Sequence, residues 1–252
     1  MEMPEIAVVT GASRGLGRAT ALALAEDGYR VVVATRSIES AEGVVSRIEE
    51  AGGEALPLRL DVADPHSIDE ATTTLLAAIT EKWAGSRVTV LVNNAGVGHF
   101  APLGEVSVAD FDDTFAVNVR GPFLLIQGLA PHLAEGSRIV NLSSSLSRHV
   151  SPATAVYAAS KAAVEALSRS LALEFGRRGI RINTIAPGPT ATDFNGGAMR
   201  DNAELRHGLG QQTALGRVGE PAEIADAVVA LVSPGMRWVT GERIEVSGGV
   251  LL

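Results

Sequence analysis

Short runs of β-branched residues alternate along the chain with longer stretches rich in alanine and leucine. Ile6–Val9, Val31–Val33, Ala55–Leu60, Val88–Val92, Arg138–Leu142, Ile180–Ile185 and Arg243–Val246 read as strands. Most of these runs are apolar almost throughout, not at every second position. Such strands are covered on both faces, as in a parallel sheet. The stretches between them carry helix starts. Asp64 stands before Pro65, Ser107 and Asp110 resemble a capping box, and Pro221 opens a helix with Glu223 near its positive end. Strand–helix alternation at this spacing predicts repeated βαβ units: a single α/β domain over residues 1–252, with a doubly wound parallel sheet of seven strands and helices on both faces. Ligands of such sheets bind at the carboxyl ends of the strands. Residues 193–217 break the rhythm with Gly, Asn, Gln and scattered Phe194, Met199 and Leu205. A long excursion of this kind predicts a substrate lid, with a peripheral helical insertion as the alternative.

Composition narrows the chemistry. There is no cysteine among the 252 residues, which removes disulfides, thiolate zinc sites, iron–sulfur clusters and a cysteine nucleophile. It is compatible with a reducing compartment. Basic residues number 21 and acidic residues 29, a net charge of −8, so a general nucleic-acid binder is not expected. No apolar run approaches the ~18 residues of a membrane span, and Met1–Glu5 lacks the character of a signal peptide. No linker, low-complexity tract or repeat interrupts the chain. The expectation is a cytoplasmic protein with no membrane or nucleic-acid partner and no metal.

The first strand runs into Thr10-Gly11-Ala12-Ser13-Arg14-Gly15-Leu16-Gly17, which opens the first helical stretch. Gly11 permits a tight turn, Gly15 lets backbone approach a pyrophosphate, and Gly17 allows close helix–strand packing. Free N–H groups and the helix dipole then favour an anion there. The alternative is a purely structural turn. The second strand ends Val33-Ala34-Thr35-Arg36, with no acid to hold a ribose 2′-hydroxyl. Arg36 and Arg14 are suited instead to a 2′-phosphate. This favours NADP(H) over NAD, although both side chains are also explicable as solvated surface arginines.

Only two lysines and two tyrosines occur, and one of each forms Tyr157-Ala-Ala-Ser160-Lys161. Residues i and i+4 share a helix face. A phenol is a poor acid–base group near neutrality, and a nearby ammonium is expected to lower its pKa toward the working range. Ser144 lies 13 residues before Tyr157, just past a strand, with Ser143 and Ser145 as neighbours. Its hydroxyl is placed to bond the same substrate oxygen. Asn118 falls within an apolar helical stretch, where a buried amide needs a partner.

Taken in order, these motifs resemble the short-chain dehydrogenase/reductase family, including its 3-oxoacyl-carrier-protein reductase-like members. The likeness runs from Val8 to Gly249 through Thr10-Gly11-x-x-x-Gly15-x-Gly17, Asp61-Val62, Asn93-Asn94-Ala95-Gly96, Asn118, Ser144, Tyr157-x-x-x-Lys161 and Pro187-Gly188. It implies a Rossmann-type domain and an NADP(H)-dependent reductase acting reversibly on a carbonyl or alcohol. Tyr157 would be the acid–base, Ser144 would orient the carbonyl, and Lys161 would bind the nicotinamide ribose and lower the tyrosine pKa. Asn118 would hold a relay water. Asp61 and Val62 would contact adenine, Asn93 and Ala95 would steady the sheet beside the cofactor, Gly96 would join the cofactor-binding residues, and Thr190 and Thr192 would approach the nicotinamide amide. The resemblance also implies a homo-oligomer, dimer or tetramer; Ala162, Ala163, Ala166 and Leu167 fit a buried helix, which packing within one subunit explains equally well. Ser247 departs from the family, many of whose members carry Asp there. Candidate pocket residues are His99, Phe100, Leu146, His149, Phe194 and Met199, and either histidine is a candidate additional proton donor. The alternatives are a 3-oxoacyl-carrier-protein reductase and a non-catalytic nucleotide sensor on the same fold.

Overall fold

The computed structural model describes residues 5–252, the side chains of Asn195 and Ala198 apart. Its strands are β1 (Ile6–Thr10), β2 (Arg30–Thr35), β3 (Ala55–Arg59), β4 (Val88–Asn93), β5 (Arg138–Leu142), β6 (Arg181–Pro187) and β7 (Arg243–Val246). They form one sheet in the order β3-β2-β1-β4-β5-β6-β7, and every pairing is parallel.

Continuous apolar runs follow from a sheet with two apolar faces. Ile6 and Val8 of β1 and Val32 and Ala34 of β2 enter one core, while Ala7, Val9, Val31 and Val33 enter the other. Successive side chains point to opposite faces, so each position needs an apolar residue. The second core is closed by α1 (Gly15–Glu26), α2 (Ile38–Glu50) and α9 (Pro221–Val232), through residues such as Leu24, Ile48 and Val228. The first is closed by α3 (Pro65–Lys82), α5 (Gly121–Leu129) and α6 (Ala155–Phe175), through Leu75, Leu129 and Ala172 among others. Each fully buried Leu or Ile contributes about 1.5–3 kcal/mol.

The helix starts stand where the sequence puts them. Asp64 accepts from the His66 N–H at 3.0 Å, and Glu223 accepts from the Glu220 N–H at 2.8 Å. In α4 (Val108–Phe115), Ser107 accepts from the Asp110 N–H and donates to the Asp110 carboxylate, so that box closes through side chains. Residues 116–120 were not foreseen as irregular. They form a π-turn in which the Gly121 N–H donates to the Ala116 carbonyl.

Residues 193–217 contain a short 3₁₀ turn (Phe194–Gly197), α7 (Ala198–Asp201) and α8 (Ala203–Gly210). The segment is helical and lies at the carboxyl ends of the strands, where Asp193 meets Arg14 and Phe194 meets Tyr157. Packing within the subunit accounts for only part of the Ala162–Leu167 stripe. Ala162 and Ala166 are exposed on α6, and Ala163 and Leu167 are half-buried. The inward face of α6 consists of Tyr157, Ser160, Lys161, Val164, Glu165, Ser168 and Ala172, so the Ala162–Ala166 stripe points away from its own subunit. Among the described residues no helix is long and apolar enough to cross a membrane, and no cluster of His, Asp and Glu is suited to a metal.

Candidate active site

The chain reverses direction across the sheet between β1 and β4, and the crevice at their carboxyl ends is the switch point of the fold. The glycine turn lies there. Gly11 and Gly15 have φ values of +64° and +54°, a region that favours glycine. A Cβ on Gly17 would fall 2.3 Å from the Gly11 carbonyl oxygen, so helix and turn touch backbone to backbone. Helices α2, α3, α4 and α8 have N-caps whose side chains accept an N–H, from Ser37, Asp64, Ser107 and Asn202. The N-terminus of α1 has neither a side-chain cap nor an acidic residue in its first turn. Its donors are thus left for an anionic ligand, and the turn fits a pyrophosphate.

Two residues outside the expected set hold this turn. Thr10 Oγ1 accepts the N–H groups of Asn94 and Ala95, both at 3.0 Å. Asn94 Nδ2 donates to the carbonyls of Thr10 and Gly11. The signal was present in the Asn93-Asn94-Ala95-Gly96 motif, but its direction required the β1–β4 pairing. Asn93 itself donates to Asn141 at 2.8 Å, and Asn141 donates to Ser168 at 2.8 Å, a buried chain that ties β4 through β5 to α6.

The other cofactor candidates surround the same crevice. Arg36 is exposed just beyond β2. Arg14 is exposed and paired with Asp193 at 3.1 Å across the mouth of the crevice. Asp61 accepts from the Ala63 N–H, and the Val62 carbonyl packs against Gly121, where no Cβ would fit. Ser13 and Leu16 are half-buried. Gly188 follows Pro187 and packs on Ser247, whose Cα lies 2.6 Å from where its Cβ would be. Thr190 Oγ1 donates to the Gly188 carbonyl. Thr192 and Asp193 face Gly15 across the crevice.

Tyr157 and Lys161 are buried side by side on α6, with Lys161 Nζ 5.7 Å from the tyrosine ring centre. The Ser144 side chain lies beside the Tyr157 phenol. Of its serine neighbours, Ser143 turns its Oγ away to Glu165 at 2.5 Å. Asn118 sits in the π-turn, accepts the Val97 N–H at 2.9 Å and donates to Val97 O and Ser160 Oγ. A Cβ on Gly96 would approach Asn118 Oδ1 at 3.3 Å and Lys161 Nζ at 3.4 Å, so both polar groups face one small space.

The electrostatics differ from the expected direction. Burial pushes the Tyr157 phenol up to about 12, opposed only by the neighbouring Ser144 hydroxyl. Burial also pulls the Lys161 ammonium down to about 8, and its Nζ donates to the Leu142 carbonyl at 2.7 Å. Desolvation therefore outweighs the expected phenol–ammonium stabilisation among these protein groups. The consequence for reduction has a definite sign. Tyr157 stays protonated throughout the neutral range, while Lys161 loses its charge as pH rises through about 8. Reductive kcat/KM should be level near neutrality and fall about tenfold per pH unit above that point. A profile still level well above pH 8 would contradict a role for charged Lys161.

Phe100 meets Tyr157 edge-on at 5.4 Å between ring centres, and Phe194 meets it at 5.9 Å. A Cβ on Gly98 would come within about 3 Å of both phenylalanine rings, which explains a glycine there. The two candidate histidines are already engaged: His99 with Asp110 and Asp113, and His149 with Glu245. Leu146 donates its N–H to Ser144 Oγ, and Met199 is half-buried.

Residues 11–251 match the family model described as enoyl-(acyl carrier protein) reductase. An uncharacterized oxidoreductase of Methylorubrum extorquens is 42% identical over 247 residues, covering 98% of this chain and 97% of its own. The 3-oxoacyl-[acyl-carrier-protein] reductase of Staphylococcus aureus is 37% identical over 255 residues, with full coverage of both chains. The crystal structure of an angucycline C-6 ketoreductase with bound NADP superposes with a TM-score of 0.92 at 38% identity, covering 98% of this chain and 95% of its own. With the glycine turn, the Asn118–Ser144–Tyr157–Lys161 cluster and these full-length matches together, the chain belongs to the short-chain dehydrogenase/reductase family of nicotinamide-dependent oxidoreductases.

Proposed function

We propose that the protein is an NADP(H)-dependent ketoreductase that converts a carbonyl to a secondary alcohol, reversibly. The observation that carries this reading is the Ser144 side chain beside the Tyr157 phenol, next to buried Lys161. Two neighbouring hydroxyls are suited to one carbonyl oxygen, which favours keto over enoyl reduction. The nicotinamide supplies the hydride when bound. Ser144 orients and polarises the carbonyl, and Tyr157 delivers a proton to its oxygen. Lys161 holds positive charge beside the phenol and binds the ribose, while Asn118 and Lys161 bracket a site for a relay water. The glycine turn, with Ser13 and Leu16, holds the pyrophosphate. Asp61 and Val62 border adenine, and Asn93, Ala95 and Gly96 form the floor. Pro187, Gly188, Thr190 and Thr192 flank the nicotinamide, and residues 193–217 act as the substrate lid. Phe100 and Phe194 favour a ketone with apolar flanks.

The test is an NADPH-coupled screen across β-ketoesters, diketones, quinones, sugars and acyl thioesters. Oxidation of NADPH with alcohol formed is expected for at least one apolar ketone. Tight NADPH binding with no turnover across the panel would favour the sensor alternative. Preference for carrier-linked thioesters would favour a 3-oxoacyl-carrier-protein reductase.

NADP(H) is favoured over NAD(H) because Arg36 stands where an acid would hold the 2′-hydroxyl. Arg36→Asp should shift the NADPH-to-NADH ratio of kcat/KM by at least about tenfold toward NADH, the loss of one charge-assisted phosphate contact. An unchanged ratio would remove the phosphate role. The exposed Ala162–Ala166 stripe with Leu173 supports a homo-oligomer, dimer or tetramer, packed through α6. A cytoplasmic location accompanies this reading.

A further inference from the structure

We infer that the buried ion pair Glu165–Arg243 is a positioning device for Ser144, fixing where its hydroxyl meets Tyr157. This rests on the reading of Ser144 as the carbonyl-orienting group.

Glu165 continues the face of α6 that carries Tyr157 and Lys161, one further turn along. Arg243 opens β7, the edge strand of the sheet. Their side chains are 8% and 3% exposed, and Arg243 Nε donates to Glu165 Oε1 at 2.7 Å. The same Oε1 accepts from Ser143 Oγ at 2.5 Å and Ser147 Oγ at 2.6 Å. Arg243 Nη2 donates to the Ser144 carbonyl and to Ser147 Oγ, both at 3.3 Å. Its remaining Nη1 donates to Glu245 at 2.8 Å.

Ser144 is therefore held from behind at three points: the side chain before it, its own carbonyl, and the side chain three residues later. None of these three bonds occupies its Oγ, which accepts the Leu146 N–H at 3.2 Å and lies beside the Tyr157 phenol. A dry ion pair adds little stability over an apolar pair of the same size. It does add direction, since charge-assisted bonds from a planar guanidinium are short and strict in geometry. Catalysis is sensitive to that direction, because a misplacement near 1 Å in a reacting constellation reduces the rate about 10²-fold. Glu165 and Arg243 touch no reacting atom and act through Ser144.

The test is a double-mutant cycle on the full-length protein. Arg243→Met is made in the wild-type background and in Ser144→Ala, and ketone reduction is followed in single turnovers with excess enzyme. Arg243→Met alone should lower the rate roughly 10²-fold, with NADPH affinity unchanged. In the Ser144→Ala background the same substitution should have almost no further effect, because the residue it positions is gone. Equal losses in both backgrounds would overturn the inference. Arg243→Lys provides a second arm if the methionine variant does not fold. One ammonium cannot span Glu165 and the Ser144 carbonyl together, so the lysine variant should also be slow, and wild-type turnover by it would overturn the directional argument. Wild-type turnover by Ser144→Ala alone would instead sink the prior assignment of Ser144.

Discussion

Tyr157→Phe should lower kcat for ketone reduction by about 10²–10⁴, the range for losing a positioned acid, while NADPH affinity is unchanged. The substitution removes one oxygen and keeps the ring. That ring is held between Phe100 and Phe194 at 5.4 and 5.9 Å, so its packing should survive. Ser144 Oγ keeps the Leu146 N–H, and losing a polar neighbour, about 1 kcal/mol, is offset by removing a buried hydroxyl. The melting temperature should therefore barely move, which separates a chemical loss from a folding loss. Steady-state NADPH oxidation, a fluorescence titration with NADPH and a thermal melt make the comparison. Turnover near wild type would sink the assignment of Tyr157 as acid.

Gly17→Ala should have the opposite profile, with stability and cofactor binding both damaged. The added methyl would stand 2.3 Å from the Gly11 carbonyl oxygen and 2.4 Å from Asn94 Nδ2. Neither neighbour can yield cheaply. The carbonyl belongs to a turn residue held at φ +64°, and the amide bonds the Thr10 and Gly11 carbonyls at 2.9 and 3.2 Å. Relief requires α1 to lift from the turn. Overpacking of this kind costs about 3 kcal/mol, lowering the melting temperature by roughly 10 °C for a chain of this size. Because the displaced backbone N–H groups are those offered to the pyrophosphate, NADPH affinity should fall as well. A variant with wild-type melting and affinity would show that the contact relaxes more easily than its geometry suggests.

Strand positions and the direction of the sheet were legible because burial on both faces leaves an uninterrupted apolar signature, as in Val31–Val33 and Val88–Val92. The glycine turn and the Tyr157–Lys161 pair were legible because each lies within one short segment. Contacts between distant segments were not. Glu165 and Arg243 are separated by 78 positions and meet only because β7 lies beside β6. Read singly, Glu165 is one more acid on a helix and Arg243 one more arginine in an arginine-rich chain. The protonation balance was also hidden. The i, i+4 spacing predicts that Lys161 approaches Tyr157, but not how dry the two become, and dryness sets the direction of both shifts. The exposure of Ala162 and Ala166 was invisible for the same reason, since alanine is at home on either side of a helix.

The π-turn at 116–120 adds one residue to a helical turn, and that residue brings Asn118 to face Val97, Ser160 and the space beside Lys161. The length of the chain through this turn, and not only the identity of residue 118, therefore sets where the amide points. Removing one residue there would restore regular i→i−4 bonding and a tidier helix, while rotating Asn118 by about 100°, the angle of one helical step, away from its partners.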